Sequence, residues 1–365
     1  MVKRMEIRKY NLEDIALNFF YGSMPKEEDL CDNGYPVFSG YRVVGYSTKY
    51  NIENRSLVVV ARGVGGTGNV EIAEEKTFLT NLSIAVSIDE KLADIDFLKY
   101  YLNVQGLRYL DSGAAQSQIT INNLKHHKIF IPSLVNQKQI ASILSAYDNL
   151  IENNNKRIKI LEQMAENLYK EWFVRFRFPG HESTPLENGI PKGWKIEKIK
   201  NCVKRLPFGK TYKEAELEKE GSVIVIDQST EPFIGYHDDV AAHQASANNP
   251  IILFGDHSCK FVLMTRNFSL GENIVPFVSY NDEIVNPYYL FFATHKIIET
   301  TEYKRHWGEF VNKKILIPSI DLQKEFARMS IPLKLQLEQL LIENQNLIKQ
   351  RDLLLPRLMS GKLAV

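Results

Sequence analysis

Cysteine is scarce in this chain: Cys31, Cys202 and Cys259 are all that 365 residues carry. An odd number at scattered positions excludes a disulfide framework and fits a reducing compartment. His257 and Cys259 make at most half of a metal site, because no second ligand pair stands at zinc-like spacing. No metal is expected. Long apolar runs are missing too. No stretch of about 18 apolar residues suggests a membrane span, and Met1-Val2-Lys3-Arg4-Met5-Glu6 lacks the apolar segment of a secretory signal. The cytoplasm is the expected location. Nor is there an excess of charge of one sign: 45 Lys and Arg stand against 44 Asp and Glu, a net charge of +1. That balance neither advertises nucleic-acid binding nor excludes it, since acidic surface elsewhere cancels a basic groove in the sum. With 44% hydrophobic and 24% charged residues, the composition is that of a soluble globular protein long enough for two domains.

Signatures of catalysis are weak. Gly63-Val64-Gly65-Gly66-Thr67-Gly68 has the spacing of a dinucleotide-binding loop, and a strand candidate precedes it. A helix must then meet the pyrophosphate, whereas Asn69-Val70-Glu71-Ile72 continues in strand fashion. The expected object is a β-hairpin turn whose glycines take positive φ. Asn286-Pro287-Tyr288-Tyr289 is close to the Asn-Pro-Pro-Tyr loop of adenine methyltransferases but lacks the second proline, and Pro287 reads as the first residue of a helix. No Walker A motif and no Cys-His or Ser-His constellation stands out. The chain is expected to perform no chemistry by itself.

What the chain does contain is a second copy of its own pattern. Lys128-Ile129-Phe130-Ile131-Pro132-Ser133, followed by Gln137-Lys138, returns as Lys314-Ile315-Leu316-Ile317-Pro318-Ser319, followed by Gln323-Lys324. Gly22 and Gly209, the turns at Gly45-Tyr46 and Gly235-Tyr236, and Leu150-Ile151-Glu152-Asn153 and Leu341-Ile342-Glu343-Asn344 keep nearly the same displacement. A period near half the chain implies two copies of one domain and not a solenoid. The first copy offers strand candidates at 57–61 and 83–88 and a helical pattern over 95–110; the second offers strands at 223–226 and 251–254. Both heads read as α+β.

From 137 to 172 glycine and proline vanish. Ile140, Leu144, Tyr147, Ile151, Asn154, Ile158, Leu161, Ala165, Leu168 and Trp172 alternate four and three apart, a heptad seam over a helix of roughly 54 Å. Asn154 reads either as a partly exposed residue near a helix crossing or as a polar pin of register. Residues 178–185 break the helix and supply a linker. A second stripe carries Leu337, Leu341, Asn344, Ile348, Leu355 and Leu358, with Arg351 interrupting it. Pro332 is expected to limit the start of that helix and Pro356 to kink or end it, leaving it the shorter of the two. Two such seams are expected to pack as an antiparallel pair that acts as a ruler. The expected division is 1–133 and 177–319 for the heads, 134–176 and 320–365 for the helices.

Lys192, Lys195, Lys198, Lys200, Lys204, Arg205, Lys210 and Lys213 form a basic run at the start of the second head. It reads equally as phosphate-contacting surface or as an ordinary solvated face. Thr48, Lys49, Gln228, Ser229 and His237 lie beside the paired Gly-Tyr motifs, and such side chains can read base edges. With Arg42, Tyr46 and Arg62, the candidates for DNA contact are Lys49, Lys204, Arg205, Lys210, Lys213, Gln228 and His237.

Tyr35-Pro36-Val37-Phe38-Ser39-Gly40 leading to Val44-Gly45-Tyr46, then Ala61-Arg62-Gly63 and Thr67-Gly68-Asn69-Val70, resemble the target recognition domain of DNA specificity subunits of type I restriction-modification systems. Ala115-Gln116-Ser117-Gln118-Ile119-Thr120, the run from Gln137 to Leu144, and Leu354-Leu355-Pro356-Arg357-Leu358-Met359-Ser360-Gly361 are similar to that family as well. The resemblance implies two target recognition domains joined by two long antiparallel coiled-coil helices, with an internal pseudo-twofold duplication. It implies that each head reads one half of a split double-stranded DNA target and that the helices set the unread spacer. It also implies partners: two methyltransferase subunits that bind S-adenosylmethionine, and restriction subunits that use ATP. No cofactor falls to this chain. Asp256-His257-Ser258-Cys259 stands where the first head has its Arg-Gly and Thr-Gly-Asn turn, so the heads are expected to read different sequences. A coiled-coil adaptor with two protein-binding heads also accounts for duplication and seams; steep loss of DNA affinity with salt distinguishes the two. A self-sufficient methyltransferase would require S-adenosylmethionine binding by the isolated chain.

Overall fold

The computed structural model describes residues 6–63, 66–111, 118–300, 302 and 304–363. Val64-Gly65 of the glycine loop and Ala115-Gln116-Ser117 lie outside the described residues. The chain forms two units, Met1–Asn153 with Glu343–Val365, and Asn154–Ile342. This cuts across the expected four-way division, because each long helix contributes a stretch to each unit.

In the first unit the strands are β1 (Ile7–Asn11), β2 (Ala16–Tyr21), β3 (Leu30–Cys31), β4 (Tyr35–Ser39), β5 (Arg42–Ser47), β6 (Ser56–Val60), β7 (Val70–Ala73), β8 (Phe78–Leu79), β9 (Ser83–Ile88) and β10 (Lys128–Pro132). Helices α1 (Ile95–Gln105) and α2 (Ile121–Lys125) precede β10. One sheet runs β2-β9-β6-β7, another β3-β5-β4-β8, and β1 pairs with β10. Strand β6, Ser-Leu-Val-Val-Val, is buried along its whole length. Its alternation explains why both faces are apolar: Leu57 and Val59 join the core that includes α1, while Val58 joins Leu79 and Phe38 of the second sheet. The β6–β7 hairpin is antiparallel, with Gly63 and Gly68 at positive φ, so the glycine loop is the expected turn.

Helix α3 (Leu134–Tyr169) leads into the second unit and closes with a π-turn at Lys170–Val174. Strands β11 (Leu186–Glu187), β12 (Ile190–Pro191), β13 (Lys195–Lys198), β14 (Val203–Arg205), β15 (Val223–Ile226) and β16 (Gly235–His237) follow. Then come β17 (Ile251–Gly255), β18 (Phe261–Met264), β19 (Phe268–Leu270), β20 (Ile274–Ser279), α4 (Pro287–Thr294), α5 (Trp307–Phe310), β21 (Lys314–Ile317) and α6 (Ile320–Met359). The first unit's topology returns: β13 pairs with β21, one sheet runs β14-β20-β17-β18, and another β16-β15-β19. Even the parallel pair recurs, β4 with β8 and β15 with β19. The Gly45-Tyr46 and Gly235-Tyr236 pairs fall in β5 and β16, strands and not turns, because both are hydrogen-bonded to a central partner along their length.

The repeated glutamine has a structural task. Gln137 donates through Nε2 to the Pro132 carbonyl at 2.8 Å and accepts at Oε1 from the Asp94 N–H at 2.9 Å. Gln323 donates to the Pro318 carbonyl at 2.8 Å and accepts from the Asn286 N–H at 2.8 Å. Each ties a strand end to the N-cap of the helix packed beside it. Asn286 caps α4, accepting from the N–H groups of Tyr288 and Tyr289, and Pro287 takes the first helical position as expected.

Within the 178–185 linker Phe178 is anchored in the core, its ring 5.3 Å from that of Trp194, while the residues after it are mostly exposed. Helix α6 also departs from expectation. It spans 40 residues against 36 for α3 and runs through both Pro332 and Pro356. A helix-interior proline costs about 3 kcal/mol, yet Leu322, Phe326, Ala327 and Leu340 flank Pro332 on the buried side and Leu358 follows Pro356. Burial of each large side chain contributes about 1.5–3 kcal/mol, so packing prevails.

Within each unit the two helices run antiparallel. In the first, Ile140 and Leu144 share a core with Leu358 and Leu354, and Asp148 meets Arg351. In the second, Ile158 and Leu161 pack with Leu340, Leu337, Leu341 and Leu333, and Trp172 with Phe326. Tyr147 and Ile151 are half-buried. Asn154 is buried, which corrects the partly exposed alternative, and Asn344 is buried as well. Ile348 is 40% exposed, and Leu347 beside it is half-buried. Leu355 is half-buried against the first unit's core. Arg351 stays in the seam because its guanidinium reaches Asp148 at 2.6 Å, and the Tyr100 hydroxyl donates to the other oxygen of that carboxylate.

Candidate nucleic-acid interface

In the first unit β5 presents Arg42, Val43, Val44 and Tyr46 to solvent. The side chain of Lys49, just beyond β5, is held by Asp29 at 2.9 Å, which raises the ammonium pKa. Arg62 is half-buried and donates from Nε to the Asn81 carbonyl at 3.0 Å. It braces the β6–β7 loop against the turn before β9.

In the second unit Lys204 and Arg205 on β14 are both exposed. The Arg205 guanidinium lies over the Phe208 ring at 4.7 Å. Lys210 approaches Asp239 at 2.5 Å and lies over the Tyr212 ring at 4.6 Å. Asp239 first, then Tyr212, raises its pKa. Lys213 is exposed. Gln228 accepts at Oε1 from the His257 N–H at 3.1 Å, so it braces one loop with another. His237 is buried, stacked on Tyr212 at 4.1 Å, with Nε2 hydrogen-bonded to Ser269 Oγ at 2.9 Å.

The candidates therefore divide. Among the described residues Arg42, Lys204, Arg205 and Lys213 are exposed cations without an ion pair, whereas Lys49 and Lys210 already face carboxylates. Arg62, Gln228 and His237 are structural braces, and Tyr46 is an exposed aromatic on β5. The basic run is divided between two sheets, β13 with Lys195 and Lys198 pairing with β21 and β14 with Lys204 and Arg205 pairing with β20. Among the described residues no cluster of three His, Cys, Asp or Glu is placed to hold a metal, and no helix is long and apolar enough to cross a membrane.

Each unit has a cleft beside the turn that leads into the second strand of its main sheet. In the first unit it measures about 430 Å³ and is lined by Met24, Leu30, Val44, Ser39, Thr80 and Asn81 among others, with no charged side chain. In the second it measures about 480 Å³ and is lined by Arg205, Phe208, Thr211, Glu272, Asn273 and Arg305 among others. Asp256 closes one wall: its Oδ1 accepts from the N–H groups of His306 at 3.1 Å and Trp307 at 2.9 Å, and Oδ2 lies 3.8 Å from Arg305. Glu272 and Arg305 were not singled out from sequence. No local pattern marks them, since three distant segments meet only when β14, β17 and β20 pair.

Residues 5–163 match the family model described as the type I restriction modification DNA specificity domain. That segment, somewhat less than half of the chain, is similar to the type I DNA specificity family. Among the chain's relatives is the type I restriction enzyme MjaIX specificity subunit of Methanocaldococcus jannaschii, 27% identical over 71% of this chain and 66% of that protein. The MjaVIII specificity subunit of the same organism is 28% identical over 51% of this chain and 46% of its own length. These matches span less than two thirds of either relative. The crystal structure of the type I restriction-modification S subunit from M. genitalium covers 97% of this chain and 96% of its own, with a TM-score of 0.70 at 19% identity. The likeness of fold therefore extends over both units, including the part outside the family model.

Proposed function

We propose that the chain is the sequence-reading subunit of a type I restriction-modification complex. Each head reads one half of a bipartite double-stranded DNA target, and the long helices set the unread spacer. The chain performs no chemistry and binds no cofactor. Adenine methylation with S-adenosylmethionine belongs to two methyltransferase partners, and ATP-driven restriction to a further partner. One observation carries this reading: a single topology occurs twice while the two clefts differ in every charged group, as two readers of different sequences require. The exposed, unpaired cations Arg42, Lys204 and Lys213 supply phosphate contacts that hold either head on a duplex.

The test is a map of methylated adenines in a host expressing this chain with its methyltransferase, against a host lacking only this chain. A split motif that vanishes without the chain is the expected result. An unchanged map, with the complex shown to assemble, would favour a protein-binding adaptor, whose partner affinity need not fall steeply with salt.

A further inference from the structure

We infer that the cleft of the second unit reads a G·C base pair, Arg205 contacting the guanine and Glu272 the cytosine. The inference rests on the DNA-reading role proposed above and adds the chemistry of one recognised position.

Arg205 and Glu272 line the same cleft and are both exposed, yet among the described residues neither is in an ion pair. A forked donor and a carboxylate acceptor thus face one space without neutralising each other. Arg205 is also fixed in place: its guanidinium rests on Phe208 at 4.7 Å, so less side-chain freedom is lost when it binds. Glu272 is set by the turn Gly271-Glu272-Asn273, which buries Gly271 and places Asn273 at a φ of 56°.

The occupant follows from the charges. A phosphate suits Arg205 but is repelled by Glu272, while Arg305, the second cation of the cleft, already faces Asp256. The major-groove edge of a G·C pair presents the guanine N7 and O6 acceptors beside the cytosine N4 amino donor. An arginine fork next to a carboxylate matches that pattern, and an A·T pair lacks it. Asp256 is not the cytosine reader, because backbone N–H groups take one of its oxygens and Arg305 faces the other. The first unit's cleft has no charged lining, so the preference belongs to one half-site only.

The experiment uses the full chain assembled with its methyltransferase subunits and a panel of duplexes carrying every base at every position of both half-sites, at several salt concentrations. Arg205→Ala is expected to reduce discrimination at one G·C position by about 5- to 150-fold, the range for a good bidentate base contact. Glu272→Ala should relax the same base pair. Arg205→Lys keeps the charge and loses the fork; it should relax that position with the salt slope unchanged. Discrimination in the other half-site reports that each variant is folded. A uniform loss over all sequences, with a salt slope smaller by about one, would make Arg205 a phosphate contact and overturn the inference. Relaxation at an A·T position, or at two different pairs, would overturn it equally. A wild-type complex with no sequence preference would overturn the DNA-reading role itself, an outcome separate from these.

Discussion

Gln137 and Gln323 do the same work in the two units, each joining a strand end to a helix cap through one donor and one acceptor. Replacing either with alanine leaves a buried carbonyl unmet, at about 1–3 kcal/mol, and a half-buried N–H at less. Gln137→Ala and Gln323→Ala are each expected to lower the thermal unfolding midpoint; an unchanged midpoint in calorimetry would mean that these bonds are dispensable. The paired glycines are a different kind of residue. A Cβ on Gly22 would run into the Thr80 carbonyl, whereas Gly209 has a φ of 69° and would meet Ala242 at 2.9 Å. The identity of the residue was legible in the repeat, but the reason for it differs between copies. Buried histidines add a pH dependence. Burial pushes the pKa values of His127 and His243 below the usual imidazole range, so both are neutral in the folded chain. Unfolded, they take up protons below about pH 6.5. The unfolded state then binds more protons, and stability is expected to fall as pH drops from 7 towards 5. Denaturation midpoints across that range would measure it, and His127→Gln should flatten part of the slope.

At the scale of elements, the β-branched runs announced β6, β9, β15 and β17 nearly to the residue, since buried strands must be apolar on both faces. The seam of α3 was equally legible. The stripe of α6 is less legible at Ile348, because Leu347 and Ile348 are both apolar and only packing leaves Leu347 half-buried and Ile348 40% exposed. L340A, at a buried seam position, is expected to cost about 2–5 kcal/mol. Ile348→Ala, at an exposed one, should stay within about 0.5 kcal/mol. Equal losses in chemical denaturation would mean that Ile348 packs as Leu340 does. On local grounds alone Pro332 limits the helix, and tertiary burial overrides that rule. Pro332→Ala should therefore stabilise the chain, by up to about 3 kcal/mol. The second unit's cleft was the least legible feature: Arg205 was visible in a basic run, but Glu272 and Arg305 come beside it only through sheet pairing.

For the whole molecule, duplication was the strongest signal, and the structure returns it as repeated topology down to the parallel strand pair. Exchanging residues 1–133 for another subunit's first head should alter one half of the methylated motif and spare the other. Gln137 can still serve such a graft, because it meets a backbone N–H and not a side chain. One heptad inserted into both α3 and α6 adds roughly 10 Å of helix and should lengthen the unread spacer by about three base pairs, with half-sites unchanged. A spacer of unaltered length in the methylation map would end the ruler reading. The interrupted make-up of the first unit has its own consequence in time. Its core needs Leu358, which packs with Ile140 and Leu144, whereas the second unit is one continuous segment, Asn154–Ile342. On the ribosome, at about 5–20 residues per second, the intervening segment takes on the order of 10–40 s to emerge. The head that is translated first is thus completed last, and through that interval Ile140 and Leu144 lack their Leu358 partner, which makes the nascent first head a natural client for chaperones.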